Sequence, residues 1–183
     1  EKLEAAGIEF LGPSAETMRR LGDKITSKLI AEAARVPVSP WSGGPVQRLE
    51  LPDLAKRIGF PVMLKATAGG GGRGIRMLRE GDDLNAAFDS AQAEAANAFG
   101  DGTLFVEKTI SGARHVEVQM AADRHGTVLA LGLRDCSVQR KHQKVVEEGP
   151  PPGLSPALMR QLRGASIRLL REASYRGVAT CEY

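Results

Sequence analysis

The apolar residues of the chain fall into short runs separated by polar or glycine-rich segments. One of these runs, residues 115–120, alternates strictly between polar and apolar side chains. Such alternation is typical of a strand with one buried face, and short apolar runs bounded by turn residues also favour strands. The pattern therefore predicts strands at residues 7–11, 60–64, 75–78, 103–108, 115–120, 127–133 and 177–183.

Helices are predicted where a capping residue precedes a helical stripe. Ser14 and Asp23 are each followed by helical segments, and Ile25, Leu29 and Ile30 lie on one face of the second. Ser155 precedes Pro156, the preferred order for a helix start. The predicted helices span residues 14–21, 23–33, 53–58, a segment from 82 or 83 to 97, and 155–173.

A segment rich in Pro, Ser and Gly at residues 39–45 is the best candidate boundary in the chain. Residues 39–111 combine a helix, a strand–loop–strand unit and a second helix, which predicts a small α+β unit. Residues 112–183 are dense in strands and predict the start of a larger, antiparallel β-rich unit. Residues 1–38 are expected to end a preceding domain and to supply linking helices.

The most informative stretch is the glycine-rich loop at residues 65–74. Five of the six residues from 69 to 74 are glycine, and Lys65 and Arg73 carry positive charge beside them. Backbone N–H groups in such a loop form a concave anion site, and phosphate suits that combination of charges. The pattern matches neither a Walker loop nor a dinucleotide fingerprint. A flexible linker is the alternative, but linkers lack strands and cations on both flanks. We expect the loop to be mobile without nucleotide.

Composition narrows the possible partners. The formal net charge is +3 and aromatic residues make up 4% of the chain, which argues against a nucleic-acid-binding protein. No apolar run approaches the ~18 residues that a membrane span requires. Cys136 and Cys181 are too few for a disulfide scaffold, and the first residues show no leader pattern. We expect a cytoplasmic location, and a chain without an initiator Met suggests a longer parent protein.

Two polar clusters are candidate sites. The strand at residues 103–108 ends in Glu107 and Lys108, where the backbone up to Ile110 can pair with an adenine edge. Residues 134–144 are too polar for a buried strand. If extended, they place Gln139, Lys141 and Gln143 on one face and Arg140, His142 and Lys144 on the other. A solvated edge strand is the alternative.

Other chemistry is weakly supported by these residues. Cys136 and His142 are a possible nucleophile and base, but no third residue orients them. No Cys and His spacing is typical of a metal site. Lys24 lies in the first turn of its helix, where a cation opposes the macrodipole. It is either solvated or directed at a ligand.

Taken in order, five motifs resemble the ATP-grasp region of biotin carboxylase, as found in acetyl-, propionyl- and pyruvate carboxylases. The resemblance covers nearly the whole chain, and residues 134–148 are its most specific part. The motifs are Gly22-Asp23-Lys24, the loop 65–74, Glu107-Lys108, Arg114-His115-Val116-Glu117 and the segment 134–148.

The resemblance implies a role for each matching position. The phosphates of ATP are bound by Lys24 and Lys65 and covered by Gly71 and Gly72. The adenine hinge is formed by Glu107, Lys108, Thr109 and Ile110. Residues near the ribose and phosphates are His115, Gln139 and His142. The catalytic lysine near bicarbonate and the γ-phosphate is Lys144.

The resemblance also implies the reaction and its partners. ATP activates bicarbonate to carboxyphosphate, and its CO₂ passes to biotin on a carrier protein or domain, for use by a carboxyltransferase in an oligomeric parent protein. Mg²⁺ is required, but the family's metal-binding glutamates and bicarbonate-binding arginines are expected beyond Tyr183. Glu182 is expected to lie on a strand that precedes those ligands, so no metal ligand is predicted within the chain.

Two alternatives remain beside a biotin carboxylase. The chain by itself can be a catalytically silent ATP-binding module, because it carries only the nucleotide half of the predicted site. Another ATP-grasp ligase, of the carbamoyl-phosphate synthetase type, fits the glycine loop equally well. The segment 134–148 argues against that second alternative. ATP is the expected ligand in every case.

Lys65→Ala is expected to weaken ATP binding more than Lys141→Ala, if the chain binds ATP by itself. Lys65 lies at the mouth of the loop, whereas Lys141 is predicted to point away from the nucleotide. A charge-assisted hydrogen bond is worth about 1.5–3 kcal/mol, so we expect about a tenfold or greater loss for Lys65→Ala. Calorimetric titration with ATP measures both variants. Equal losses would contradict the predicted facing of the two lysines.

Overall fold

The computed structural model describes residues 2–68, 74–141 and 143–183. The helices in these ranges are α1 Lys2–Ala5, α2 Ala15–Gly22, α3 Lys24–Ala33, α4 Leu51–Ile58, α5 Leu84–Phe99 and α6 Pro156–Glu172. The strands are β1 Val62–Ala66, β2 Ile75–Leu78, β3 Leu104–Lys108, β4 Val116–Ala122, β5 Val128–Asp135, β6 Gln139–Arg140, β7 Gln143–Lys144 and β8 Gly177–Glu182. None of these helices is long and apolar enough to cross a membrane.

The chain divides into two compact units. The first unit comprises the described parts of Glu1–Leu21, Ile30–Pro37 and Gly112–Tyr183. The second unit comprises Gly22–Leu29 and the described parts of Val38–Ser111. The first turns of α3 therefore belong with the second unit, and its last residues belong with the first.

The second unit is built on an antiparallel sheet of order β2-β1-β3. The central strand β1 alternates in burial, and its residues Val62, Leu64 and Ala66 are completely buried. These side chains pack in one core with buried residues of α4 and α5. Asp83 caps α5 by accepting a hydrogen bond from the amide of Ala86 at 3.0 Å, and is thus the cap of the two, Asp82 or Asp83, that the sequence left open.

The first unit is built on an antiparallel sheet of order β5-β4-β8, with α6 packed against it. Val116, Val118 and Met120 of the middle strand β4 face this core, which confirms the predicted alternation. Ser155 caps α6 through the amide of Leu158 at 3.2 Å, also as predicted. A core of this kind requires only one apolar face of the sheet and leaves the other for polar chemistry.

The prediction that residues 134–144 are extended throughout is wrong for the last part of the segment. Its last part is a short hairpin in which β6 pairs with β7, and Lys141 turns the chain with a φ of 50°. The register sets Gln139 opposite Lys144. Cross-strand partners share a face, so these two residues lie on one side, whereas a single extended strand would have placed them on opposite faces.

The strand predicted at residues 7–11 is absent from the structure. Residues 8–10 have no regular secondary structure, and the side chains of Ile8, Phe10 and Leu11 are exposed. A strand needs a neighbour to satisfy its backbone, and none of the described strands pairs with this segment. Residues 69–73 and His142 lie outside the described residues, and so do the predictions made for Gly71, Gly72, His142 and the mobility of the loop.

Leu64→Ala is expected to destabilise the second unit by about 2–5 kcal/mol, because the lost side chain leaves a cavity beneath the central strand. The free energy of unfolding is measured by urea denaturation. Leu49→Ala is the matched control, since the Leu49 side chain is 83% exposed and its loss should change stability by less than about 0.5 kcal/mol. Similar losses from both variants would contradict the described core.

Candidate functional site

Two predicted phosphate-binding lysines lie at one end of β1. Asp23 caps α3 by accepting a hydrogen bond from the amide of Thr26 at 2.7 Å, which places Lys24 in the first turn. The ammonium of Lys24 donates a hydrogen bond to the carbonyl of Ala66 at 3.0 Å. Lys65 precedes Ala66 in the same strand. The strand therefore brings both lysines to the place where it leads into the glycine-rich segment.

The environment of Lys24 disfavours its charged form. Burial is the main cause that lowers the pKa of Lys24, and the positive charge of Lys65 lowers it further. The charge of Glu107 acts in the opposite direction without reversing the shift. Two ammonium groups that repel one another in a partly buried setting are suited to binding an anion, which relieves the repulsion.

Glu107 lies between two lysines. Its Oε1 accepts a hydrogen bond from Lys65, and its Oε2 is 2.7 Å from the ammonium of Lys28. Burial acts first and would raise the pKa of Glu107, but the hydrogen bonds from Lys28 and Lys65 outweigh it and lower the pKa. Glu107 is therefore ionised, and its carboxylate is an internal counter-ion in the second unit.

The predicted adenine hinge has several of its polar groups already engaged. The ammonium of Lys108 donates to the carbonyls of Gly59 at 2.7 Å and Phe60 at 2.9 Å. The Lys108 amide donates to the carbonyl of Pro40 at 2.8 Å, and the Thr109 amide donates to that of Pro61 at 3.1 Å. The Ile110 side chain is 64% exposed. The Lys108 side chain thus acts as a structural tie between β3 and the segment before β1.

A second buried carboxylate organises the first unit. The side chain of Glu117 is 1% exposed, on the face of β4 opposite the apolar core. Its Oε1 accepts a hydrogen bond from Nε of Arg134 at 2.6 Å, and its Oε2 accepts one from Lys144. Lys144 also donates to Glu182 at 2.7 Å. Lys144 is therefore held between two carboxylates.

These contacts keep both partners charged. Burial acts first and would raise the pKa of Glu117, but the hydrogen bonds from Lys144 and Arg134 outweigh it and lower the pKa. The pKa of Lys144 is raised by its hydrogen bonds to Glu117 and then to Glu182. Lys144 is therefore a fixed positive charge at neutral pH, and not a base.

His115 and Gln139 join the same cluster. The side-chain amide nitrogen of Gln139 lies 3.0 Å from Nδ1 of His115 and donates to the carbonyl of Cys136 at 2.9 Å. Nε2 of His115 is 3.6 Å from Glu182. The first unit therefore brings together three predicted site residues, His115, Gln139 and Lys144.

The acidic groups around Lys144 do not form a complete magnesium site. Ligand atoms of His115, Glu117 and Glu182 lie within 4.8 Å of one another. Mg²⁺ takes oxygen ligands in octahedral geometry, whereas both oxygens of Glu117 are engaged by Arg134 and Lys144. Glu182 is 54% exposed and is the carboxylate of this group that is open to solvent. Its position beside Lys144 makes Glu182 a candidate magnesium ligand. The sequence analysis had instead placed it on a strand that precedes the metal ligands.

Cys136 is not suited to nucleophilic catalysis. Its side chain is completely buried. Burial is the main cause that raises the pKa of the thiol, and the negative charge of Glu117 raises it further. A thiol must ionise to attack an electrophile, so these surroundings suppress its reactivity.

Three residues of the two clusters were missed by sequence reasoning: Lys28, Glu117 and Arg134. Lys28 follows Lys24 by one helical turn, a spacing that could have signalled a shared face. Glu117 stands on the polar face of β4, and the alternation along the strand gives no sign that its side chain is buried. Nothing local distinguishes Arg134 from its charged neighbours.

Comparison with known proteins identifies the family. Residues 23–183 match the family described as carbamoyl-phosphate synthase L chain, ATP binding domain. The biotin carboxylase of Halalkalibacterium halodurans is 45% identical over 178 residues, which are 97% of this chain and 39% of that protein. Human mitochondrial pyruvate carboxylase is 44% identical over 179 residues, which are 97% of this chain and 15% of that protein.

Solved structures of biotin carboxylases have the same fold as this chain. Biotin carboxylase from Campylobacter jejuni, in a β,γ-ATP complex, matches with a TM-score of 0.92 and 43% identity over 99% of this chain and 41% of that one. The biotin carboxylase domain of Hydrogenobacter thermophilus 2-oxoglutarate carboxylase, solved with MgADP and bicarbonate, matches with a TM-score of 0.90 and 41% identity. The match covers 99% of this chain and 40% of that one. These matches confirm the predicted ATP-grasp fold and the resemblance to biotin carboxylase. The chain belongs to the carbamoyl-phosphate synthase L chain ATP-binding domain family.

Proposed function

We propose that the chain is the nucleotide-binding part of a biotin carboxylase, which uses ATP to activate bicarbonate and carboxylate biotin. The observation that carries this proposal is the placement of Lys24 and Lys65 together at the end of β1. The Campylobacter jejuni relative was solved in an ATP complex and the Hydrogenobacter thermophilus relative with MgADP and bicarbonate. The lysines are therefore expected to bind the phosphates of ATP.

Electrostatic stabilisation is the main contribution we assign to the chain. Phosphoryl transfer to bicarbonate moves negative charge, and fixed cations stabilise it without a proton transfer. Lys24 and Lys65 are expected to neutralise phosphate oxygens. Lys144 is expected to bind bicarbonate and the γ-phosphate as a cation, because its ion pairs with Glu117 and Glu182 favour its charged form.

The remaining predicted residues are assigned to nucleotide orientation. Glu107, Lys108, Thr109 and Ile110 are proposed as the adenine hinge. His115, Gln139 and His142 are proposed near the ribose and phosphates, and Gly71 and Gly72 over the phosphates. The hydrogen bond between Gln139 and His115 supports a joint role for these two side chains.

The whole protein requires parts that this chain does not supply. The chain spans about two fifths of the biotin carboxylases and a smaller part of the pyruvate carboxylases that it matches. Mg²⁺ bound beside the phosphates would neutralise developing charge, and Glu182 is the candidate ligand among the described residues near Lys144. We propose a biotin carrier protein or domain and a carboxyltransferase as partners in an oligomeric, cytoplasmic parent.

The isolated chain is expected not to carboxylate free biotin. It lacks a complete set of magnesium ligands among its described residues, and we propose that the arginines that bind bicarbonate lie in the part of the biotin carboxylases that the chain does not match. Each loss can cost several kcal/mol of transition-state stabilisation, so turnover should fall below detection. A bicarbonate-dependent ATPase assay with free biotin measures the rate.

A longer protein that continues past Tyr183 is the control in that assay. ATP titration of both proteins separates binding from turnover, since the loop flanks and hinge are present in each. Comparable rates from the two would contradict the proposal that this chain holds only half of the site.

Glu117→Gln is expected to remove an acid-sensitive part of the stability. The folded-state pKa of Glu117 lies below its ordinary value of 4.5, so its contribution is present above that value. The contribution is lost as pH falls through the folded-state pKa. The variant should therefore be less stable at pH 7, by about 1–3 kcal/mol, and show a flatter decline below pH ~4.5.

Urea denaturation at a series of pH values tests this expectation. Glu172→Gln is the control, because Glu172 is exposed near the end of α6 and its neutralisation should leave the pH profile unchanged. A Glu117→Gln profile parallel to that of the unmodified chain would show that Lys144 and Arg134 do not hold the carboxylate.

A further inference from the structure

Glu107 shares its carboxylate between Lys65 and Lys28. Oε1 accepts the hydrogen bond from Lys65, while Oε2 lies 2.7 Å from the ammonium of Lys28. The hydroxyl of Ser39 also donates to Oε2, at 3.4 Å. The Glu107 side chain is 12% exposed, so little water can compensate its charge. Each of the two lysines therefore receives only part of one negative charge.

Lys28 is held in place by its surroundings. Its ammonium donates to the hydroxyl of Ser39 at 3.3 Å and lies 5.6 Å above the ring of Trp41. Trp41 is itself buried and packs edge-to-face against Phe105, with ring centres 6.2 Å apart. The Lys28 side chain is only 17% exposed. A cation fixed against an aromatic face in this way has little freedom to swing toward a ligand.

Because Glu107 is shared with Lys28, its carboxylate neutralises less of the positive charge that Lys65 offers to a ligand. If Glu107 paired with Lys65 alone, the two charges would cancel and a nearby phosphate would meet a neutral pair. Opposite charges in contact attract one another strongly in partly buried surroundings, where water screens them little. Lys28 occupies the second oxygen and draws part of that attraction to itself, which leaves Lys65 with a net positive field.

We propose that Lys28 is a positioning residue for nucleotide binding: by holding Glu107 from the side away from Lys65, it keeps Lys65 available for a phosphate. This inference rests on the proposed function, because it assumes that Lys65 binds ATP. Lys28 itself does not contact the nucleotide in this arrangement. Its effect passes entirely through Glu107.

The first test compares ATP affinity in the full-length protein by calorimetric titration. Lys28→Met is expected to weaken ATP binding about fivefold or more, a typical size for coupling between two groups. Lys28→Arg keeps the charge and should restore affinity to within about twofold. Lys56→Met is the matched control, because Lys56 is exposed on α4 and should leave affinity unchanged.

The second test separates positioning from a general structural effect. In a Glu107→Gln background the carboxylate charge is gone, so Lys28→Met should change ATP affinity by less than about twofold. An undiminished loss in that background would show that Lys28 acts on the nucleotide directly and would overturn the inference. Melting temperatures without nucleotide check folding, and Lys28→Gln replaces Lys28→Met if the latter does not fold.

Titration of the Lys65→Met variant with ATP separates the proposed role of Lys65 in binding ATP from the proposed role of Lys28 in positioning Glu107. If Lys65→Met leaves ATP affinity unchanged, the proposed function of Lys65 is wrong. If Lys65→Met weakens ATP binding while Lys28→Met does not, only the role of Lys28 is wrong. Losses from both variants, with recovery of the Lys28→Met loss in the Glu107→Gln background, would support both.

Discussion

A buried carboxylate with a cation on each oxygen is the interaction on which each of the two polar clusters depends. Glu107 has Lys28 and Lys65, and Glu117 has Arg134 and Lys144. Removing a carboxylate from water costs several kcal/mol unless it is paired and hydrogen-bonded. Each glutamate can therefore stay buried only while its two cations remain in position, and this requirement holds the predicted site lysines in place.

The same arrangement determines which chemistry the site can perform. The ion pairs favour the charged form of Lys144, and burial beside Glu117 suppresses ionisation of the Cys136 thiol. Fixed cations stabilise moving negative charge, whereas a base or a nucleophile must change its protonation state. The described residues therefore suit the electrostatic stabilisation of an anion better than covalent catalysis.

Local structure was largely predictable from the sequence because its causes are local. Ser14, Asp83 and Ser155 each accept the hydrogen bond from a helix amide three residues on, as their positions predict. The alternation of β4 correctly separated its apolar face from its polar face. Residues 134–148 pointed to biotin carboxylase, and the relatives confirm that family resemblance. The prediction of a strand at residues 7–11 was wrong, because a strand needs a partner from elsewhere in the chain and none of the described strands pairs with this segment.

The sequence by itself determined most helices, most strands, the family and the lysines that we propose for nucleotide binding. Tertiary structure alone decided how those lysines are held, because their partners lie far away along the chain: 42 residues separate Lys65 from Glu107, and 38 separate Lys144 from Glu182. The tertiary structure also decided the turn at Lys141, which sets Gln139 opposite Lys144. Propensities act over a few residues, whereas a buried charge is stabilised by whichever cation the fold brings within reach.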